Sequence, residues 1–212
     1  MRVLALLLLL VPGLAAAEVE LSFYAGAQSA PHSRIDGSGG VVDGDDYLIG
    51  WEGRSFDMPP YYGVRATWWR SPTLGFGLDV NHAKVYAPED DMAKAGYDRL
   101  EFTDGLNIVT VNAYRRFPGL NLPVTPYLGA GAGVAVPHVD ITKNGVKTYG
   151  YQVTGPAVTF IAGASYPLTD RMSLFGEYKG TYSQNTAELD DGGELKTDII
   201  TNALNVGVSF RF

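Results

Sequence analysis

Three histidines, His32, His82 and His138, are the side chains of this sequence best suited to metal or proton chemistry. His32 and His138 share a local pattern, Ala30-Pro31-His32 and Val136-Pro137-His138. Neutral imidazoles converging from separate elements can hold a redox-active divalent metal ion. None of the three has a second histidine two or four residues away, so a shared site here depends on tertiary placement alone. Glu101 and Asp104 offer carboxylates as a base or an extra metal ligand, and Tyr182 offers a phenol. Arg34, Arg54 and Lys84 are the first cations to consider for binding a phosphate or carboxylate, with Arg99, Lys143 and Lys147 behind them. Arginine can grip such groups through two parallel hydrogen bonds. No Gly-x-Ser-x-Gly elbow and no Gly-x-Gly-x-x-Gly opening a helix is present, so neither an α/β-hydrolase nor a dinucleotide fold is supported. With no cysteine there is no thiolate metal site and no disulfide framework.

The elements that must position these groups begin at the amino terminus. Met1-Arg2 is a short positive start, Val3 to Val11 is an apolar run, and Ala15-Ala16-Ala17 is a small-residue cleavage site. Residues 1–17 are expected to be a secretory signal peptide removed after Ala17, the apolar run being too short to span a bilayer. Arg2 is the only charged residue before Glu18, so the mature chain keeps 15 of the 16 basic residues against 23 acidic ones, a formal charge of −8. An acidic chain is a poor partner for nucleic acid. No later run approaches the length of a membrane-spanning helix.

From Glu18 onward the pattern is one of strands. The last nine residues, Leu204 to Phe212, place apolar side chains at 204, 206, 208, 210 and 212 with Asn205, Gly207, Ser209 and Arg211 between them. Strict period two puts the two sets on opposite faces of a strand. Similar alternation recurs over 18–30, 61–69, 74–81, 109–114, 127–136, 158–165 and 172–182, giving eight strands. Short connections (70–73, 118–123, 167–170) alternate with long ones (31–60, 87–103, 137–155, 184–197). That order predicts an all-β, eight-stranded antiparallel up-and-down transmembrane barrel over 18–212, with three short periplasmic turns and four long outer loops. A Greek-key sandwich would mix connection lengths, and a lipocalin-like barrel would need an apolar interior. The stretch 47–56 also alternates and is read as an outer extension of the second strand, interrupted at Pro59-Pro60 where ladder donors are missing.

An eight-stranded barrel is filled by its own side chains, which argues against a diffusion pore. Glu52, Arg54, Arg65, Asp79, Glu177 and Lys179 fall on the expected inward face and should pair as an internal ion ladder. Gly129, Gly131 and Gly133 leave room inside for large neighbours such as Tyr114 or Tyr127. The three histidines are expected at the outer rim of outward-running strands. Outer-membrane lipids, and the insertion machinery acting on the terminal strand that ends in Phe212, are the expected partners of a monomer in a Gram-negative outer membrane.

Several longer segments go beyond generic barrel sequence. They include Gln28 to Arg34, Gly50 to Phe56, Met58 to Gly63, His82 to Tyr86, Glu101 to Asn107, Gly131 to His138 and Phe175 to Asn185. In these the chain resembles a family of outer-membrane barrels from Rhizobium-like α-proteobacteria described as lipid A oxidase, over nearly the whole mature length. The resemblance implies oxidation of the proximal glucosamine of 1-dephosphorylated lipid A to 2-aminogluconate, with O2 as co-substrate and H2O2 as by-product. It supplies no catalytic residues. A redox centre would be needed for a spin-paired sugar to meet triplet oxygen, and a metal on His32, His82 and His138 with Glu101 or Asp104 is the candidate the residues offer. The rival class is a non-enzymatic barrel with a structural or surface-interaction role.

Overall fold

Alternating apolar and polar side chains favour extended backbone, and a closed ring leaves no unpaired edge in the bilayer. The computed structural model describes residues 18–212, except for the side chains of Thr103 and Asp104. The expected signal peptide lies outside the described residues. The strands are β1 (Glu18–Ser29), β2 (Ser33–Ser38), β3 (Asp46–Ile49), β4 (Tyr62–Trp69), β5 (Leu74–Tyr86), β6 (Tyr97–Arg116), β7 (Thr125–Lys143), β8 (Val146–Tyr151), β9 (Gly155–Pro167), β10 (Met172–Glu188) and β11 (Glu194–Arg211). One short helix, α1 (Glu89–Ala95), lies between β5 and β6. The ring runs β1-β4-β5-β6-β7-β9-β10-β11 and closes through antiparallel pairing of β11 with β1. It is the expected eight-stranded up-and-down barrel, with β2, β3 and β8 as additions to its outer end.

The outward face of the lower ring is apolar and exposed: Val19, Phe23, Phe76, Leu78, Val111, Phe160, Leu204 and Val206 stand there. Such a band belongs against hydrocarbon. No described helix is long and apolar enough to cross a membrane. Inside this band the barrel is polar. Arg65 donates through both terminal nitrogens to Glu177, at 2.9 and 2.7 Å, and through Nε to Asp79 at 2.8 Å. Lys179 pairs with Asp79 and donates to Asn81 and Tyr24. Tyr127 and Asn205 donate to Glu177 as well. Every charge of this network is thus matched within the barrel, as a dry interior demands. Glycines make room for it: a Cβ on Gly129 would lie 2.6 Å from the Tyr114 ring.

Of the six charges expected inside, Glu52 and Arg54 are elsewhere. They pair with each other at 2.8 Å, partly exposed, in the first outer connection. The reading of 47–56 as an extension of the second strand is corrected with them. Asp46–Ile49 pairs instead with β2, and β2 pairs with β11. One bridge, Glu52 with Tyr86, follows the line that extension would have taken. The physical reason is the glycine-rich turn between β2 and β3, where Gly39, Gly40 and Gly44 adopt positive φ and fold Ser33–Ser38 back as a local partner.

The expected long loops are largely strand. β10 and β11 continue to a turn at Leu189–Gly193, closed by the Leu189 N–H to Gly193 carbonyl bond of 2.8 Å. β7 turns into β8 at Asn144-Gly145, with φ of 50° and 81°, the backbone that a two-residue hairpin of matching twist requires. These extensions enclose a second interior that is apolar: Ile35, Ile49, Leu100, Phe102, Ile141 and Leu195 are each 1% exposed or less. Trp51 caps it, donating to Ser33 Oγ at 2.7 Å and packing 6.1 Å from the Phe102 ring. Along β11 the switch is visible residue by residue. Leu195 and Ile199 point in with Lys196 and Asp198 out; then Asn205 and Ser209 point in with Leu204, Val206 and Phe210 out. The faces do not change, but the polarity of what surrounds the barrel does.

Candidate functional site

Above that inversion the outward face carries polar and aromatic groups, and they concentrate on four adjacent strands, β5 to β8. Register places Tyr86 beside Glu101, Glu101 beside Asp140, and Asp140 beside Tyr149. Arg99 pairs with Glu101 and, through Nε at 2.7 Å, with Asp140. Partial burial works against the Arg99 cation, but the two carboxylates outweigh it and hold the guanidinium protonated above its ordinary range. Lys147 reaches to 3.9 Å of the other Asp140 oxygen. Arg54, from the first outer connection, lies 4.7 Å over the Tyr86 ring, and Lys84 Nζ lies 5.3 Å from it. Arg54, Tyr86, Glu89, Arg99 and Glu101 line an open cleft of about 480 Å³ on the outer side of the wall.

α1 forms one edge of this cleft. It is tied to the first outer connection by the Gly50 N–H, which donates to Asp91 Oδ2 at 2.9 Å and holds that carboxyl below its usual range. Below it, Tyr97 donates to Asp45, and Lys143 closes on the same carboxylate. Burial, reinforced by that carboxylate, raises the Tyr97 phenol and keeps it protonated. The cleft therefore has a braced rim on one side and a sheet surface on the other.

The candidate residues divide. Glu101, Arg54 and Lys84 come together around Tyr86, although Lys84 is fully buried behind the ring and donates to the Asp57 carbonyl at 2.6 Å. Arg34 pairs with Asp46 in the β2–β3 hairpin, away from the residues lining the cleft. Tyr182 sits on the outward face of β10 and donates to Asp198 at 2.7 Å. The side chain of Asp104 lies outside the described residues; its backbone falls in the irregular stretch of β6 between Thr103 and Leu106, where Gly105 has φ of 97°.

The histidines do not converge. His32 packs against Gly50, near Asp91. His82 stacks on Tyr62 at 5.2 Å and shares a 3.1 Å hydrogen bond with Asn107. His138 stands edge-on to Tyr149 and Tyr151. His82 and His138 are on β5 and β7, two strand spacings or roughly 10 Å apart with β6 between them, whereas ligands of one ion sit about 2 Å from it. Among the described residues no group of three histidine or acidic side chains could hold a metal ion. A three-histidine centre therefore does not fit this structure.

A family model for the outer membrane protein beta-barrel domain matches residues 3–212. The chain belongs to that family. No curated protein matches it. Among solved structures, Neisserial surface protein A is 20% identical with a TM-score of 0.52, covering 92% of this chain and 97% of its own. The outer membrane protein AlkL is 13% identical with a TM-score of 0.53, covering 92% and 90%. A major outer membrane protein from Thermus thermophilus is 17% identical with a TM-score of 0.50, covering 93% and 100%. At these identities the likeness is one of fold. This is an outer-membrane β-barrel protein of the Gram-negative envelope.

Within the outer-membrane barrel, sequence reasoning missed Tyr86, Asp140, Tyr149 and Tyr151 as site residues. The signal was present in one case. Lys143-Asn144-Gly145-Val146 is a hairpin signature. It places Tyr149 and Tyr151 on one face beside Asp140 and His138.

Proposed function

We propose that this barrel acts on lipid A, oxidising the proximal glucosamine of the 1-dephosphorylated form to 2-aminogluconate with O2 and releasing H2O2. One observation carries the reading: the cleft holding Glu101, Arg54 and Arg99 opens on the outer wall, above the apolar belt, where the saccharide headgroups of the outer leaflet lie. A lumen site would not be reached from there. The family resemblance supplies the reaction type, and the chemistry explains its substrate. Loss of the 1-phosphate leaves a hemiacetal whose C1 bears one hydrogen and one hydroxyl. Oxidation removes two electrons and two protons to give a lactone, O2 takes them up as H2O2, and water opens the lactone to the carboxylate.

Glu101 is the group placed to accept the hydroxyl proton. Arg54 and Arg99 hold the anionic groups of the substrate, and Tyr86 fixes Arg54 from below. The redox centre that O2 requires is not a three-histidine metal, because the histidines lie apart; metal analysis of the active protein would identify it. The protein acts as a monomer, and the insertion machinery engages its terminal strand, where the Phe212 ring is 80% exposed.

The second reading is a non-enzymatic surface barrel, favoured by the sealed lumen and the compact outer extension. Mass spectrometry of 1-dephosphorylated lipid A after aerobic incubation with the folded protein separates the two. A gain of one oxygen that needs air, with peroxide appearing and with Glu101→Gln at least a hundredfold slower, supports the oxidase. An unchanged lipid with native barrel mobility sinks it.

A further inference from the structure

Beside the cleft, β8 carries two tyrosines that the oxidation does not use. Tyr149 and Tyr151 are two residues apart, so their rings leave the same face of the strand. They are 57% and 63% exposed. Underneath, the buried His138 ring stands edge-on to both, at 4.3 and 4.7 Å between centroids, and props them upright. Its Nδ1 has no hydrogen-bond partner. Lys147 Nζ lies 4.5 Å from the Tyr149 ring centre. Asp140, 3% exposed, anchors Arg99 with one oxygen and approaches Lys147 with the other, and that second oxygen accepts no hydrogen bond. One buried carboxylate thus sets two half-exposed cations on either side of itself, next to a pair of exposed rings.

We propose that this surface binds a phosphorylated pyranose of the outer leaflet's saccharide layer. The sugar lies on Tyr149 and Tyr151, and its phosphate sits between Arg99 and Lys147. The C–H face of a pyranose is apolar and packs on an aromatic face, while each tyrosine hydroxyl remains free for a polar neighbour. Arg99 and Lys147 offer donors on either side of the site, and a phosphate there takes over part of their pairing with Glu101 and Asp140. Height selects a sugar over a lipid tail. On β7 the last exposed apolar residue is Val134, and Tyr151 and Tyr149 pair with His138 and Asp140, four and six residues further along the strand. Allowing for strand tilt, that is about 10 and 15 Å above Val134, at the level of the headgroups and not of the acyl chains. The site rests on the outer-membrane placement; it shares Arg99 with the oxidation cleft, and Tyr149, Tyr151 and Lys147 are its own.

The test is calorimetric titration of the full, detergent-folded chain with deacylated, phosphorylated lipopolysaccharide oligosaccharide, under nitrogen so that no turnover occurs. Joint replacement Tyr149→Ala and Tyr151→Ala should weaken binding at least tenfold, while Tyr149→Phe with Tyr151→Phe keeps it within threefold. Lys147→Gln should weaken the phosphorylated ligand several-fold and leave its dephosphorylated form unchanged. Wild-type protein that binds neither ligand overturns the proposal. So does a double-alanine variant of native mobility that binds as well as wild type, or one that alters only partition into phospholipid nanodiscs. Binding that follows the expected pattern in a protein without oxidase activity would leave this site standing and remove the oxidation alone.

Discussion

Arg65 is the residue on which the membrane-spanning interior turns. Its guanidinium satisfies Glu177 with two bonds and Asp79 with one, so two carboxylates from β5 and β10 share a single cation across the lumen. A lysine could not do this, because its ammonium is a compact point charge and not a planar fork. Arg65→Leu leaves buried carboxylates facing each other with only Lys179 in reach. Removing one partner of such a network costs about 3–5 kcal/mol, and the urea midpoint of refolding in detergent should fall accordingly. A midpoint unchanged within error would mean that water enters the lumen and screens the network. Tyr86 plays a comparable part outside, where its ring seats Arg54 and Lys84 while its strand position sets the place of Glu101.

The hairpin from β7 to β8 is the element that builds the outer site. Its turn depends on Asn144 and Gly145 adopting φ of 50° and 81°. A residue with a β-branched side chain is strained there, by about 1–2 kcal/mol for each left-handed position. Gly145→Val should therefore loosen Val146–Tyr151 without unfolding the ring. Hydrogen exchange of the β8 amides should rise about tenfold while those of β10 and β11 stay protected. Equal protection in the variant would show that Tyr149 and Tyr151 are held by packing on His138 and not by the turn. The β2–β3 hairpin does a different job. It pairs with the top of β11 and brings Ile35 and Ile49 over the lumen, which makes the first connection a lid fixed by its own apolar core.

As a whole the molecule is two interiors stacked along one axis. The lower one is ionic because its wall faces hydrocarbon, so the polar half of each strand must turn inward. The upper one is apolar because its wall faces water, so the apolar half must turn inward. Above the Arg65 network the interior is packed with apolar side chains, Phe102, Ile141 and Leu195 among them, all fully buried. Planar bilayers containing the purified barrel should accordingly show no stepwise conductance at moderate voltage. Regular pore-sized steps would contradict the closed upper core.

The count of eight ring strands, the direction of each and the polarity of the lower interior could be read from alternation and connection length, because lipid outside and a narrow lumen inside leave each strand face one role. The inversion of that alternation, as between Ile199 and Ile200 on β11, was also written in the chain and marks the membrane boundary. Reading the upper segments as loops concealed it. What only the tertiary structure decided is which outer segments lie side by side. Pairing of β2 with β11 and of Glu52 with Tyr86 joins residues far apart in sequence through backbone hydrogen bonds, which carry no side-chain signature. The same holds for the histidines. Their residue type suggested a common site, and the interposed β6 keeps His82 and His138 apart, because distance between strands is set by closure of the ring and not by the residues themselves.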